Sequence, residues 1–348
     1  MKNTGIGFFE KNLTLWVLLC MVIGVSIGEF FPILPQFLGQ FQYANVSIPI
    51  AILIWLMIYP MMMKVDFQSI KSVGKNPKGL IVTWLVNWLM KPFTMFGIAY
   101  FFFFTVFSGI IPPDLAQDYL SGAVLLGAAP CTAMVFVWSH LTGGNPAYTV
   151  VQVASNDLII LVAFTPIVAF LLGVTGVVIP WDTLILSVVL FVVVPLVGGV
   201  LTRSIVVKKK GKTYFEEEFL PKFNHITIGG LLLTLILIFS FQGQVILENP
   251  LHIVLIAIPL ILQTFLIFTL AYGMCKVLKL PHNVAAPAGM IGASNFFELS
   301  VAVAVALFGT DSPVALATIV GVLVEVPIML FLVKVANKTK HLFKGENI

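Results

Sequence analysis

The sequence predicts an all-α integral membrane protein of ten transmembrane helices, arranged as two inverted repeats of five helices. Hydrophobic residues make up 59% of the 348-residue chain and charged residues only 10%, which no water-soluble core of this length requires. A helix needs about 20 apolar residues to cross ~30 Å of hydrocarbon, and the chain contains ten such segments. Basic residues occur in alternate loops between them, and two segments are broken at matching positions.

The ten apolar segments are the predicted membrane-spanning helices. In chain order they lie at roughly 13–31, 46–63, 79–107, 119–140, 147–173, 181–202, 225–243, 250–275, 283–309 and 314–334. Residues 1–175 form the first repeat and 176–348 the second, in one membrane domain without a soluble domain. We expect no cleaved signal peptide, because Lys2–Lys11 leads into a full-length span with no small-residue cleavage site after it.

The distribution of positive charge predicts the orientation in the cell membrane. Of 19 Lys and Arg residues, 18 lie in the N-terminus, the C-terminus and the loops after segments two, six and eight. The positive-inside rule therefore places both termini in the cytoplasm. The net charge of +4 reflects this topology and does not indicate nucleic-acid binding, because the richest basic cluster, Arg203–Lys212, is a juxtamembrane loop.

Two apolar segments are interrupted at about the same depth, 165 residues apart, by GAAPCT (127–132) and GASNFFE (292–298). Pro130 has no N–H to give to a helix, and Ser294 and Asn295 compete with the helical hydrogen bonds. Matching broken helices in two halves are typical of the midplane site of a secondary transporter. The alternative is an unrelated ten-helix bundle in which small residues allow close packing.

Four charged residues lie within the predicted spans: Lys91, Asp157, Glu298 and Glu325. A charge at the membrane centre costs about 3 kcal/mol, so each needs a partner, water or neutralisation. Lys91 cannot compensate three acids. Glu298, just past the second break, is the predicted proton-coupling residue, with Asp157 and Glu325 as further candidates. The alternative is that these acids are structural ion-pair partners of Lys91.

Cys131 follows Pro130 at the first break, which places a thiol beside exposed backbone dipoles and a helix end. A thiol is a soft ligand, so Cys131 is predicted to meet a soft, thiophilic solute. One thiol cannot close a three-sulfur cage, which suits a carrier that must release its cargo. Cys20 and Cys275 are interpreted as small buried hydrophobes, and no disulfide framework is expected.

Polar and aromatic residues near the breaks are further candidates for the site. Trp138 lies seven residues after Cys131, and Asn156 lies in the fifth span; the third span offers lining residues at Trp84, Asn87 and Trp88. For each tryptophan, plain packing is the competing interpretation. The chain contains no H-E-x-x-H, G-x-S-x-G, Walker lysine or dinucleotide motif. We therefore expect a transporter rather than an enzyme, with no cofactor and no soluble ATPase subunit.

At these residues the chain resembles the arsenical-resistance (arsenite efflux) permeases of the bile acid/arsenite/riboflavin transporter superfamily. The matching stretches are GAAPCTAMVFVWSHLTGGNPAYTVVQVASNDLI (127–159), GASNFFELSVAVAVALFG (292–309) and LATIVGVLVEVPIML (316–330). The resemblance covers essentially the whole chain. It implies crossed, discontinuous fourth and ninth helices in a core domain beside a smaller panel domain. It also implies export of arsenite, sometimes antimonite, in exchange for protons.

The resemblance also implies roles for individual residues. The essential cysteine of the family falls on Cys131, which is thereby implied as a transient ligand of trivalent arsenic, and the essential acid of the family falls on Glu298. A basic residue at the end of the sixth span corresponds to Arg203, and Lys91 and Arg203 are the possible ion-pair residues. The predicted substrate-binding residues are Cys131, Glu298, Pro130, Thr132, Trp138, Asn156, Ser294 and Asn295.

Two other functions stay open at this point. Broken-helix carbonyls and Glu298 could coordinate Na⁺ in a sodium-coupled organic-anion symporter of the bile acid branch. A metalloid-binding membrane sensor is the second alternative, with less support because the longest basic loop spans only residues 203–224.

The charge pattern gives a testable topology. A cysteine introduced as Asp114→Cys should react with a membrane-impermeant maleimide added to intact cells, whereas Lys210→Cys should react only in everted vesicles. The unsubstituted chain, whose three cysteines lie in spans, is the control. Labelling of both positions from the same side would contradict the ten-span inverted repeat.

Overall fold

The computed structural model describes residues 12–43, 46–64, 77–131, 134–177, 181–248 and 250–343. These residues are almost entirely helical. The helices are α1 Leu13–Phe30, α2 Ile33–Gly39, α3 Ile48–Met62, α4 Lys78–Val106, α5 Pro113–Gly127, α6 Val135–Leu141, α7 Pro146–Val174, α8 Trp181–Lys210, α9 Asn224–Phe241, α10 Gly243–Glu248, α11 Pro250–Val277, α12 His282–Ala293, α13 Phe297–Phe308 and α14 Pro313–Lys338. A two-residue hairpin, β1 Gln42–Tyr43 and β2 Val46–Ser47, precedes α3.

Several helices contain wider or tighter turns. Wider π-helical turns lie at Leu85–Met90 and Phe102–Val106 in α4, at Val189–Val193 in α8, and at Phe215–Phe219 before α9. A short turn of α-helix precedes the last of these at Lys212–Tyr214, and 3₁₀ turns lie at Leu220–Phe223 and Lys340–Leu342. Turns of the π type often mark functional positions, and the first one in α4 ends directly before Lys91.

The described helices agree with an integral membrane protein. Six helical segments are individually long and apolar enough to cross a bilayer, and α1 with α2, bent by 94°, makes a seventh. Large apolar side chains such as Val162 and Phe170 are mostly exposed on the outside, as lipid contact requires. The predicted second span corresponds to the shorter α3, and the fourth and ninth to broken helices. The ten-span count and the inverted relation of the two halves stay predictions.

Both predicted helix interruptions are confirmed. Helix α5 ends at Gly127 and α6 begins at Val135; α12 ends at Ala293 and α13 begins at Phe297. Pro130 and Asn295 lie outside the helices, as their chemistry requires. The chain therefore opens its backbone hydrogen bonding at two places that are buried inside the protein.

The helices pack in two groups. Helix α9 packs against α1 and α3, and α3 packs against α8; we call these four helices the panel group. Helix α11 packs against α4, α12 and α14, while α14 also packs against α5 and α13, and α7 packs against α5, α6 and α12. These eight helices are the core group. The two groups meet through contacts of α13 with α3 and α8 and of α14 with α1 and α9.

A buried amide joins the two groups at one end. Gln242, at the end of α9 in the panel group, has no exposed surface. Its Nε2 donates to the carbonyl oxygens of Thr310 (3.0 Å) and Ser312 (2.8 Å), in the turn between α13 and α14 of the core group. Ser312 in turn caps α14 by accepting from the Val314 N–H. The two groups are therefore hydrogen-bonded to each other at this end.

Glycine allows α1 and α9 to pack closely against each other within the panel group, and this contact can be tested by mutation. A Cβ at Gly24 of α1 would lie 2.6 Å from the Ile236 carbonyl oxygen of α9, so Gly24→Ala should lower stability by about 1–3 kcal/mol through overpacking. The matched control is Gly273→Ala in α11, where nothing lies within 4 Å of such a Cβ and alanine favours the helix. Thermal unfolding in detergent measures both. Equal melting temperatures for the two variants would contradict the packing described here.

Candidate functional site

The two helix breaks meet and pair through their backbones. Pro130 and Asn295 face each other in an antiparallel bridge. The Phe296 N–H donates to the Ala129 carbonyl oxygen (3.0 Å), and the Cys131 N–H approaches the Ser294 carbonyl oxygen at 3.4 Å. Backbone groups released by one broken helix are thereby satisfied by the other, which lipid could not do. The two breaks therefore meet, and we call this place the crossing. That the two broken helices are the fourth and ninth of ten spans stays a prediction.

Side chains from two further helices hold the second break in place. The buried Lys91 ammonium of α4 donates to the Ser294 carbonyl oxygen at 2.6 Å. The Glu325 carboxylate of α14 accepts from the Ser294 hydroxyl and from the Asn295 N–H, whose nitrogen lies 3.3 Å from Oε1. The second break is therefore held by two side chains. The Lys91 ammonium binds a carbonyl oxygen, and the Glu325 carboxylate binds one N–H and one O–H group.

A cavity of about 300 Å³ opens beside the crossing, between the core and panel groups. Its core-group wall carries Cys131, Trp138, Asn295, Glu298 and Glu325. Most of the panel-group wall is apolar. It consists of Met57, Pro60, Met61 and Lys64 at the end of α3, with Leu220, Thr227, Ile228 and Leu231 in and just before α9. A small apolar chamber with a few convergent polar groups on one wall is typical of a small-molecule site.

The Cys131 thiol is the soft group of this wall. It is 3% exposed and packs with Val135, Val153 and Ile291. The Ser294 hydroxyl and the Met134 backbone are within hydrogen-bonding reach of the sulfur, and Glu298, Glu325 and Lys91 act on it electrostatically. The Cys131 thiol therefore lies among apolar side chains at the wall of the cavity, with the Glu298 and Glu325 carboxylates and the Ser294 hydroxyl near it. Among the described residues, no three His, Cys, Asp or Glu side chains are grouped to hold a metal ion.

The buried acids differ in their surroundings. Glu298 lies in the first turn of α13 and is 3% exposed, and among the described residues its Oε2 has no hydrogen-bond partner. Asp157 of α7 is fully buried, and within the described part of the chain neither of its carboxylate oxygens has a partner. An unpaired charge in such a place is costly, so each acid needs a proton or a cation. Glu325, in contrast, is held by its bonds to Ser294 and Asn295.

A polar layer between α4 and α7 lies next to the crossing. Trp84 Nε1 donates to Ser155 Oγ at 2.9 Å, and Trp88 Nε1 donates to Asn156 Oδ1 at 3.1 Å. Asn87 is fully buried in the same turn of α4, and its amide has no partner in the described part of the chain. The two tryptophans therefore pack and also make specific hydrogen bonds, so neither sequence-based interpretation of them was complete.

The structure brings together some of the predicted site residues and separates others. Cys131, Trp138, Asn295 and Glu298 line the cavity together with Glu325. Pro130, Ser294 and Lys91 lie at the crossing, and Asn156 and Asp157 lie in α7. Arg203 does not line the cavity, and its guanidinium lies over the Phe215 ring, 5.3 Å from the ring centroid. Thr132 lies outside the described residues.

Sequence reasoning missed the panel-group wall of the cavity. Its residues are mainly apolar side chains inside apolar segments, so nothing in the one-dimensional pattern distinguishes them from lipid-facing neighbours. The run Met61–Met63 at the end of α3 is a weak signal, because methionine adapts its shape to variable ligands. Gln263 was also missed; its Nε2 donates to the Lys91 carbonyl oxygen at 2.9 Å.

Comparison with known proteins gives matches along the whole chain. The model of the Sodium Bile acid symporter family matches residues 51–249. The chain is 67% identical over 342 residues to the Arsenical-resistance protein Acr3 of Alkaliphilus metalliredigens, covering 98% of this chain and 96% of that protein. It is 32% identical over 341 residues to the Arsenical-resistance protein Acr3 of Corynebacterium glutamicum, covering 95% and 90%. An uncharacterized transporter of Synechocystis is 46% identical over 350 residues, covering 98% and 91%.

Proposed function

Since the chain belongs to the Sodium Bile acid symporter family, and within it to the arsenical-resistance permeases, we propose that it exports trivalent arsenic from the cytoplasm across the cell membrane. The observation that carries this proposal is the position of Cys131. Its thiol lies at the crossing of two broken helices and faces a small cavity that Glu298 and Glu325 also line.

The chemistry of arsenite fits this wall. At neutral pH arsenite is mainly the uncharged trihydroxide, with a soft, thiol-seeking centre. The Cys131 thiol can exchange with one hydroxide: an As–S bond forms, an As–O bond breaks, and the thiol proton leaves with that hydroxide as water. The remaining hydroxyls can bond to Asn295 and Glu298, which line the same wall. Antimonite has the same valence and softness, so we propose it as a second substrate.

Export of a neutral solute against its gradient needs a coupled ion, and we assign this task to protons. Glu298 lines the cavity, and no described residue bonds to its Oε2. It can hold a proton when the cavity is empty and accept from an arsenite hydroxyl when the cavity is filled. Asp157, buried with no partner among the residues that the structure describes, is the second proton-coupling candidate, and Glu325 is the third.

The position of the cavity supports alternating access between two membrane sides. Lys64, at the end of the second predicted span, lines the cavity, and the positive-inside rule assigns this end to the cytoplasm. In the predicted topology Gln242 lies at the opposite end, where it hydrogen-bonds the panel group to the core group. We propose that this is the state that loads cytoplasmic arsenite. In the proposed topology, ten spans in inverted repeats with both termini cytoplasmic, movement of the panel group would open the other side.

The sodium-coupled organic-anion symporter remains the competing function, because the family takes its name from such proteins. The cavity favours arsenic because its Cys131 thiol is a soft ligand that suits a thiophilic centre and has no use in binding a carboxylate or sulfonate. Arsenite uptake into everted vesicles under separately imposed proton and sodium gradients discriminates between the two functions.

The thiol can be tested by conservative replacement. Cys131→Ser keeps the size and hydrogen-bonding capacity of the side chain but removes the soft ligand. Arsenite uptake into everted vesicles should fall by about tenfold or more, which corresponds to ~1.4 kcal/mol of lost binding. The double variant Cys20→Ser/Cys275→Ser is the matched control and should keep its uptake. Full uptake by Cys131→Ser would remove the thiol from the mechanism.

The proposed coupling residue can be tested in the same vesicles. Glu298→Gln imitates the protonated acid and cannot release a proton, so it should lose accumulation driven by a pH gradient while retaining slow equilibration of arsenite. Glu298→Asp withdraws the carboxylate by one methylene and should be partly active. If Glu298→Gln still concentrates arsenite in response to the pH gradient, the coupling site lies elsewhere, and Asp157→Asn and Glu325→Gln are the variants to measure next.

A further inference from the structure

Helix α4 places the Lys91 ammonium at the break between α12 and α13. The wide turn Leu85–Met90 ends directly before Lys91, whose side chain is 1% exposed. Its Nζ lies 2.6 Å from the Ser294 carbonyl oxygen, the point at which α12 has ended. This is a short, charge-assisted hydrogen bond. Lys91 therefore bonds to a backbone carbonyl just past the end of α12, where the helical hydrogen bonds have stopped.

The main chain of this lysine is also fixed from outside. Gln263 of α11 donates from Nε2 to the Lys91 carbonyl oxygen (2.9 Å) and to Thr94 Oγ1 (2.9 Å). Helix α11 thus helps to fix the position of Lys91. Because Gln263 and Lys91 are both almost fully buried, the arrangement is a built site and not an accidental surface contact.

Two oxygen groups of the kind that hard cations prefer lie around the ammonium, and the Cys131 thiol also acts on it electrostatically. The Ser294 carbonyl contacts it directly, and the Glu325 carboxylate, bonded to the Ser294 hydroxyl, acts on Lys91 electrostatically. In secondary transporters, carbonyls freed by unwound helices and nearby acids coordinate the coupling ion. Here the ligands are present, and the positive charge among them is covalently attached to the chain.

We propose that the Lys91 ammonium is a tethered cation that takes the place of a coupling sodium ion at the break between α12 and α13. A lysine ammonium is a compact point charge with three donors, and it can neutralise the same carbonyl and carboxylate oxygens without entering from solution. The inference rests on the proposed function in one respect: it explains how a member of a family named for sodium symport can export arsenite with no sodium. Lys91 is in this view a positioning residue that sets ion dependence.

The proposal has a consequence that a purely structural lysine would not share. Lys91→Ser removes the charge and leaves space beside the Ser294 carbonyl and Glu325, so a sodium ion should bind there. Lys91→Met removes the charge but fills the same volume, so it should not gain a response to sodium. The pair therefore separates loss of the ammonium from creation of a cation site.

The experiment compares melting temperatures of the purified full-length protein in NaCl and in KCl at equal ionic strength. Wild type and Lys91→Met should melt at the same temperature in both salts. Lys91→Ser should melt about 3 °C or more higher in NaCl, with a shift that grows and saturates as sodium increases, because a ligand of the folded state stabilises it by mass action. Lys91→Ala leaves a similar space and should behave as Lys91→Ser does.

Three results would overturn the proposal. The first is a Lys91→Ser protein that is folded and melts identically in both salts. The second is failure to recover both Lys91→Ser and Lys91→Ala from sodium buffer, since sodium should replace the ammonium. The third is a wild type that melts higher in NaCl, or whose arsenite uptake requires sodium. The melting comparison needs no arsenite, so failure of wild-type vesicles to take up arsenite would count against the proposed function alone.

Discussion

The backbone pairing between the two broken helices is the constraint on which the rest of the site depends. A break in one membrane helix leaves carbonyl and N–H groups that lipid cannot satisfy. Here the Phe296 N–H bonds to the Ala129 carbonyl across the crossing, so each break is stable only because the other exists. The geometry then follows, because Cys131 and Glu298 flank the paired residues and must stand on the same wall of the cavity.

Charge within the membrane gives the second constraint. The described interior holds one lysine and three acids, and the hydrogen bond of the lysine goes to a carbonyl rather than to a carboxylate. Glu325 is bonded to Ser294 and Asn295, whereas Glu298 and Asp157 have oxygens with no partner among the described residues. In the proposed mechanism, Glu298 and Asp157 are therefore the acids that can exchange a proton without breaking the hydrogen bonds at the crossing. Glu325 is better suited to hold the break in place.

What the sequence could predict depended on how unusual each residue is in a membrane helix. Pro130 and Asn295 disturb helical hydrogen bonding, and Glu298 is costly in lipid, so both the breaks and the acid were predictable from local chemistry. The partner of Lys91 was not predictable, because any buried carbonyl could have received the ammonium. Met57 and Ile228 line the cavity, but they look like every other apolar residue of their segments, and only the tertiary packing of α3 and α9 against the crossing selects them.

The division of labour between the helix groups suggests how access and chemistry are kept separate. The side chains with chemical roles at the crossing belong to the core group. There Lys91 donates to the Ser294 carbonyl oxygen, and the Ser294 hydroxyl donates to Glu325. The panel group supplies mainly apolar surface, with Lys64 at the rim of the cavity. Apolar contacts lack direction, so the panel can shift without breaking the bonds that shape the site. The hydrogen bonds of Gln242 to the core group are directional exceptions, and in the proposed topology they lie at the end that opens for release.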